Sequence, residues 1–454
     1  MDLRSAAQPD SPEIRYLYDL RAGAARLGLA STRRLLRSLG SPELALPMLH
    51  VAGTNGKGST TAFAAAMLQA GGLRVGRFTS PHVLRCEERI GVDGVRIDPE
   101  SFRARVRELR PSLDRAGASF FEAMTAIAAL HFRDAGCDVA VYEVGLGGRL
   151  DSTNAIPSSG SVITSLGHDH EEILGRGLRA VCAEKLGIVK RGVPLHAHLE
   201  RSDLVRLART HCSRRGAPLI LLPRDAGRAL GLDLWDGMHF ELRLPYPIRL
   251  WSRFLGAHQA RNAALASLAV LSLRDRGVVS RHPDLAAGAA RAFLPGRFQV
   301  LPSVGGMPTV VLDVGHNPEA LHATLDVAER VLPGERPVIV LGLLADKKLG
   351  GAAVRLAHFA QRIILTAPHV TRAWDPAEAL DQLPRGRRLA RVEVVPDVAR
   401  AIDRAIAVCD GAPVLVLGSH YLLGEAVPAL ASRRDLEPEL LLQPPAEEAS
   451  RATG

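Results

Sequence analysis

Short runs of aliphatic and β-branched residues alternate along the chain with longer stretches rich in Ala, Leu and Arg. The short runs include "MLHVAG", "RVGRFTS", "DVAVYEVG", "SVITSLG", "VPLHAH" and "PLILL". Runs of this length predict buried strands, and the longer amphipathic stretches between them predict helices. Strands alternating with helices imply an α/β fold with mainly parallel sheets. Between Trp235 and Arg253, "WDGMHFELRLPYPIRLWSR" reads instead as antiparallel, a hairpin edge. The segment "GAHQARNAALASLAVLSLRDRG" predicts one strong amphipathic helix ending at Gly277.

The pattern restarts around "AFLPGRFQVLPSVGGMPTVVLDVGHN", punctuated by Pro295, Gly296 and the stretch from Gly305 to Pro308. Five more strand-like runs follow: "TVVLDVG", "VIVLGL", "RIILTA", "RVEVVP" and "VLVLGS". A domain boundary is therefore expected near Pro295–Arg297, giving a domain over 1–296 and a smaller one over 297–435. The last stretch, 436–454, has the composition of a flexible tail. A chain of 454 residues is itself too long for one ordinary core.

Composition narrows the function classes. The surplus of 57 Lys+Arg over 48 Asp+Glu gives +9, which suits a polyanionic partner. Aromatics make up only 4% and no dense basic run occurs, so a small polyanion is favoured over nucleic acid. Five cysteines, far apart and never in C-x-x-C spacing, argue against a disulfide framework or a zinc site. The N-terminus lacks the apolar core of a signal peptide, and no apolar run reaches membrane-spanning length. The expectation is a cytoplasmic protein with no membrane partner.

The stretch "LHVAGTNGKGSTTAF" is almost a phosphate-binding loop. In the usual G-x-x-x-x-G-K-[ST] pattern, Val51 takes the place of the first glycine and Gly58 that of the hydroxyl. It still follows an apolar strand and opens a helix, where backbone amides can face an anion. Gly53, Gly56 and Gly58 supply backbone freedom, Lys57 the charge, and Ser59 or Thr60 a hydroxyl; Thr54 and Asn55 complete the loop. Glu143 ends the strand of "VYEVGLGG", where a carboxylate can hold Mg²⁺ beside phosphates. His168, Asp169 and His170 follow the strand of "SVITSLG", and strand ends are where ligands gather in open α/β sheets. Lys185, in "AEKLGIVK", reads by itself as a solvated charge.

Together the pieces resemble the dihydrofolate synthase/folylpolyglutamate synthases, a branch of the Mur ligase superfamily of ATP-dependent carboxylate–amine ligases. The resemblance rests on the order and spacing of "HVAGTNGKGS", "FTSPHVLRCEERI", "YEVGLGGRLDSTN", "LGHDHEEILG", "EKLGIVK", "GAHQARNA", "PGRFQVL", "LDVGHNP" and "GSHYLLGE". It implies an N-terminal P-loop-type ATPase domain, like the central domain of Mur ligases, and a Rossmann-like C-terminal glutamate ligase domain. It implies that Lys57 and the loop amides hold ATP's outer phosphates. Ser80, Glu143 and His170 would bind Mg²⁺, and Lys185, carbamylated to N6-carboxylysine, would help bind a second ion. Asn262, Arg297 and Asp313 would meet base, phosphates and ribose. His316 and Ser419 would lie near the ligation site. Phe120, Phe121, Arg149 and Asp151, with Ser80, would border the acid substrate.

The implied partners are ATP, L-glutamate and dihydropteroate or folates, handled by a monomer. Alternatives are a folylpolyglutamate synthase without the first activity, a Mur-type ligase for another acid, and, from a different class, a phosphate-loop kinase or ATPase. Two features depart from the family pattern. "LDVGHNP" shifts the small residues of the commoner D-G-A-H-N-P, and His420 stands where an apolar or aromatic residue is frequent.

Overall fold

Eight strands of the first half form one sheet: β1 (Met48–Ala52), β2 (Val75–Phe78), β3 (Ile90–Val92), β4 (Val95–Arg96), β5 (Val139–Glu143), β6 (Gly160–Ile163), β7 (Leu195–Ala197) and β8 (Leu219–Leu221). The computed structural model describes residues 11–20, 28–244, 247–384, 386 and 389–444. The sheet order is β4-β3-β2-β5-β1-β6-β7-β8. All pairs from β2 to β8 are parallel, while β3 and β4 add an antiparallel edge. Every residue of β1, β5 and β6 is buried, as their continuous apolar runs require in a sheet covered on both faces. β1 lies between β5 and β6, with Val51 beside Glu143 and Ala52 beside Ile163. The loops leaving these three strands therefore emerge together at one edge.

Helix α1 (Lys57–Ala70) follows β1 directly, and α2 (Phe120–Asp134) starts from a Ser119–Glu122 capping box. Helix α3 (Leu178–Leu186) carries Lys185. The predicted long helix is α4 (Ala257–Asp275). The expected hairpin is a three-stranded antiparallel sheet, because β10 (Gly237–Arg243) and β11 (Pro247–Ser252) are joined by β9 (Gly227–Asp233). β9 went unread because its "GRALGLD" carries little β-branched content.

The second unit begins with β12 (Gln299–Leu301), antiparallel to β13 (Val310–Asp313). With β14 (Val338–Leu341), β15 (Arg362–Leu365), β16 (Arg391–Val394) and β17 (Val414–Leu417) it forms a six-stranded sheet in the order β12-β13-β17-β14-β15-β16. The five strands read from sequence are its parallel part. One apolar cluster runs from Val51 and Phe63 through Phe240 and Leu265 to Leu325 and Leu341, joining both units.

The expected loose tail needs correction at its start. Pro438–Leu442 forms a 3₁₀ turn with Leu441 and Leu442 buried, and the Leu441 carbonyl accepts from Gln299 Nε2. Two apolar side chains in "EPELLL" outweigh the polar composition around them. The remainder of that expectation, from 445 on, falls outside the described residues.

One glycine sets how closely α1 is backed. Gly288, on α5 (Leu285–Arg291), faces Met67 of α1, and a Cβ there would overlap the Met67 backbone. Helix propensity would favour Gly288→Ala by about 1 kcal/mol, but overpacking against backbone costs about 1–3 kcal/mol. The substitution should lower the urea midpoint with an unchanged slope.

Candidate active site

The loop from Gly53 to Gly56 crosses from β1 to α1 with little room for side chains. Gly56 is left-handed (φ 84°), and a Cβ on it would come 2.5 Å from Asn262 Oδ1. A Cβ on Gly53 would overlap the Thr164 hydroxyl, which donates to the Asn55 carbonyl at 2.7 Å. Gly58, the residue that breaks the standard pattern, has a spatial cause. A Cβ there would come 2.7 Å from Leu294, 3.3 Å from Arg297 and 3.4 Å from Glu143 Oε2. The space of the missing hydroxyl is thus already filled by an apolar side chain, a cation and a carboxylate. Of the two alternative hydroxyls, Ser59 lines the cleft, whereas Thr60 is wholly buried with its Oγ1 unpartnered.

Charge is concentrated at this strand edge. Glu143 is 2% exposed and accepts from the Ser80 amide at 3.0 Å. Burial pushes its carboxyl up, against the opposing pull of Lys57, Ser80 and Arg297. Burial likewise pushes the Lys57 ammonium down, against Glu143 and Asp169. Lys57 Nζ donates to the Thr54 carbonyl at 3.1 Å, and Lys185 Nζ to the Gly53 carbonyl at 2.8 Å. Lys185 is only 4% exposed, so the solvated reading is wrong: burial, helped by Lys57, brings its pKa down to about 7. His170 sits beyond β6 with a left-handed backbone (φ 54°). One ligand atom each from His170, Glu172 and Asp346 lie within 4.8 Å of one another.

A cavity of about 430 Å³ opens between the units beside the loop, large enough for a small-molecule ligand. Its lining brings together Asn55, Gly56, Ser59, Asn262, Arg297, Asp313 and His316, seven residues singled out from sequence. Several of the expected contacts are already engaged within the protein. Asp313 accepts from the Phe298 and Gly315 amides and the Thr324 hydroxyl, all at 2.8–3.0 Å. Asp151 accepts from the Leu146 and Thr153 amides at 2.9 and 3.0 Å. Arg149 is paired with Glu184, the neighbour of Lys185, at 2.8 Å. Ser419 caps α7 (His420–Arg433) by accepting from the Leu422 amide at 3.1 Å. Phe120 is buried and stacked on Tyr18 with ring centroids 5.2 Å apart, so of the two phenylalanines only Phe121 is partly exposed.

Residues 51–270 match the Mur ligase middle domain, and 296–420 match the Mur ligase glutamate ligase domain. Over 354 residues the chain is 33% identical to the dihydrofolate synthase/folylpolyglutamate synthase of Bacillus subtilis, covering 74% of this chain and 80% of that one. The chain belongs to the dihydrofolate synthase/folylpolyglutamate synthase family of Mur ligases. Its fold is that of solved family structures. Mycobacterium tuberculosis folylpolyglutamate synthase complexed with ADP and AMPPCP matches with a TM-score of 0.81 at 28% identity, over 95% of this chain and 98% of that one. Escherichia coli FolC in complex with DHPP and ADP matches with 0.80 at 28%, over 95% and 100%. This member of the family is a ligase of the same type, with no described helix long and apolar enough to cross a membrane.

Several residues of this ligase at the cleft were not singled out from sequence. His258, Gln259 and Arg261 line the cavity beside Asn262. Their signal was present in "GAHQARNA", since positions one turn apart share a helix face. Lys347 is 5% exposed and 2.5 Å from Asp169. Its "LADKK" follows β14 at the carboxyl edge of the second sheet, the same kind of strand end that drew attention to His170.

Proposed function

We propose that this ligase joins L-glutamate to dihydropteroate, to the γ-carboxylate of a folate, or to both, consuming ATP. The single observation that carries the reading is the cleft in which Lys57, Glu143 and Arg297 surround Gly58 at the loop of a Mur ligase middle domain. The substrate carboxylate attacks the γ-phosphorus of ATP, so the P–O bond to ADP breaks and an acyl phosphate forms. The glutamate amine then attacks the acyl carbon, loses a proton, and expels phosphate from the tetrahedral intermediate. Activation is needed because a carboxylate is a poor electrophile.

The chain's residues offset the repulsion between two anions. Lys57 and the amides opening α1 face the phosphates, and Arg297 adds a second cation from the edge of the other unit. A bound triphosphate would also restore the Lys57 charge that burial disfavours. Docking of the second unit, read as 297–435 against 1–296, would keep water from the acyl phosphate. His316, which lines the cleft, donates Nδ1–H to the Val314 carbonyl at 3.0 Å, and its Nε2 faces Asp169 Oδ2 at 3.6 Å.

Mg²⁺ would be held by the buried Glu143 carboxylate, which accepts from the Ser80 amide, by the Ser80 hydroxyl, and by the His170 imidazole, which shares its surroundings with the Glu172 and Asp346 carboxylates. The ion would neutralise charge on the phosphates. Lys185 fits a carboxylated ligand, because a lysine with a pKa near 7 has a substantial neutral-amine fraction at neutral pH, where an ordinary lysine has almost none. That amine attacks CO₂, forming the N–C bond and releasing a proton. The modification should appear in labelled bicarbonate at about pH 8 and fade towards pH 6, where only about a tenth of the amine is neutral. NMR of the labelled carbon checks this, and a signal insensitive to Lys185→Met contradicts it.

A cytoplasmic monomer completes the reading, and the absence of disulfides among Cys86, Cys137, Cys182, Cys212 and Cys409 suits a reducing compartment. The acyl phosphate is tested with heavy oxygen in the substrate carboxylate. The label should pass into the released phosphate; phosphate free of label would exclude it.

A further inference from the structure

Asp169 lies in a short segment between β6 and His170, and besides His170 Nε2 at 3.8 Å its closer partners come from the second unit. Lys347 Nζ is 2.5 Å from Oδ1, while Asn317 Nδ2 at 3.4 Å and His316 Nε2 at 3.6 Å face Oδ2. The Asp169 and Lys347 side chains are 9% and 5% exposed. Beside them the amides of Asn55, in the phosphate loop, and Asn317 pair reciprocally, at 3.2 and 3.0 Å. Asn317 Oδ1 also caps α6 (Pro318–Val331) by accepting from the Ala320 amide at 2.9 Å. That bond fixes which way the Asn317 amide points. The loop that carries Lys57 and the turn that carries His316 are thus joined at a shared polar knot.

We propose that Asp169 and Lys347 are positioning residues: a buried ion pair that sets the register of the second unit on the phosphate loop, so that acyl phosphate meets the amine and not water. Stability alone is a poor reason for such a pair, since apolar replacements of buried ion pairs are frequently neutral or stabilising. Register is a better one. The Lys347 ammonium keeps its neighbour Asp346 at 3.0 Å in any position, but it reaches a second carboxylate, Asp169, only where the units dock, and that position brings Asn317 to Asn55. His170, which follows Asp169 in a left-handed conformation, keeps its Nε2 3.8 Å from Asp169 Oδ1. Where the register slips, water replaces the amine at the acyl carbon, phosphate leaves, and the carboxylate is regenerated with ATP spent.

The proposal rests on the ligase reading for its chemistry, and two readouts separate them. The first is ADP released per amide formed by the full chain. Lys347→Met and Asp169→Asn should each raise it about fivefold or more, with kcat falling more than KM for ATP changes; the double variant should be no worse than either single one, because paired groups are not additive. Lys347→Arg, which keeps the charge, should stay within about twofold of wild type. The second readout is hydrogen exchange at residues 53–58 and 315–318 with AMPPCP bound, which needs no acid substrate. Wild type should be protected there and both single variants should not. A wild-type ratio and wild-type protection in Lys347→Met would overturn the proposal, as would a double variant whose loss is the product of the singles. Thermal melts accompany each variant; single variants that fail to fold where the double folds would show a purely structural pair, which also overturns it. Absence of amide from wild type would instead sink the ligase reading, leaving the exchange test of the pin intact.

Discussion

Lys57→Ala should lower kcat/KM for ATP-dependent ligation by about a thousandfold or more, roughly 4 kcal/mol of transition-state stabilisation. The ammonium opens α1 with its Nζ held at 3.1 Å by the Thr54 carbonyl, so it is aimed before any phosphate arrives. Its charge matters most when the triphosphate and an incoming carboxylate must share the cleft, which is a transition-state demand more than a binding one. The loss should therefore fall on kcat, with a smaller change in ATP affinity measured by calorimetry. The fold should hold, since the substitution removes one bond to the loop, to the Thr54 carbonyl, and leaves Gly53, Gly56 and the Thr164 hydroxyl that shape it. An alanine variant ligating within tenfold of wild type would remove Lys57 from the chemistry.

Glu143→Gln is the second large effect, expected to cost about a hundredfold to a thousandfold in kcat. The substitution is nearly isosteric, and the side-chain oxygen can still accept from the Ser80 amide, now at 3.0 Å. Position and packing are kept while the negative charge is lost. That charge is the hard ligand offered to Mg²⁺ and the counter-charge to Lys57 and Arg297. Two signatures follow. The Mg²⁺ concentration for half-maximal rate should rise, and the melting temperature at neutral pH should not fall, because a carboxyl whose pKa burial raises opposes folding when ionised. Unchanged Mg²⁺ dependence at wild-type rate would show that Glu143 is structural.

Much of this was legible in the chain, because local patterns governed it. β1, β5 and β6 announce themselves as continuous apolar runs, and the chemistry sits where they end. The misfit at Gly58 was also visible, but its cause was not. Leu294 and Arg297 are more than two hundred residues away in sequence, and only folding brings them against the loop. Lys347 was invisible for the same reason: its meaning depends on Asp169, 178 residues earlier. Asp151, Asp313 and Ser419 illustrate a different limit. A carboxylate or hydroxyl that holds backbone amides looks, in sequence, the same as one that awaits a ligand, and these three already hold amides. Lys185 erred in the other direction. On a helix with Glu184 beside it, it reads as solvated, yet it is buried against Gly53.

Glutamate ligation to folate-type acids is measured by ADP release from the purified chain with dihydropteroate and with tetrahydrofolate, each with and without L-glutamate. ADP should form in step with amide, for at least one acid, and only when acid and glutamate are both present. Steady ADP release with no amine, or none with either acid, would contradict it.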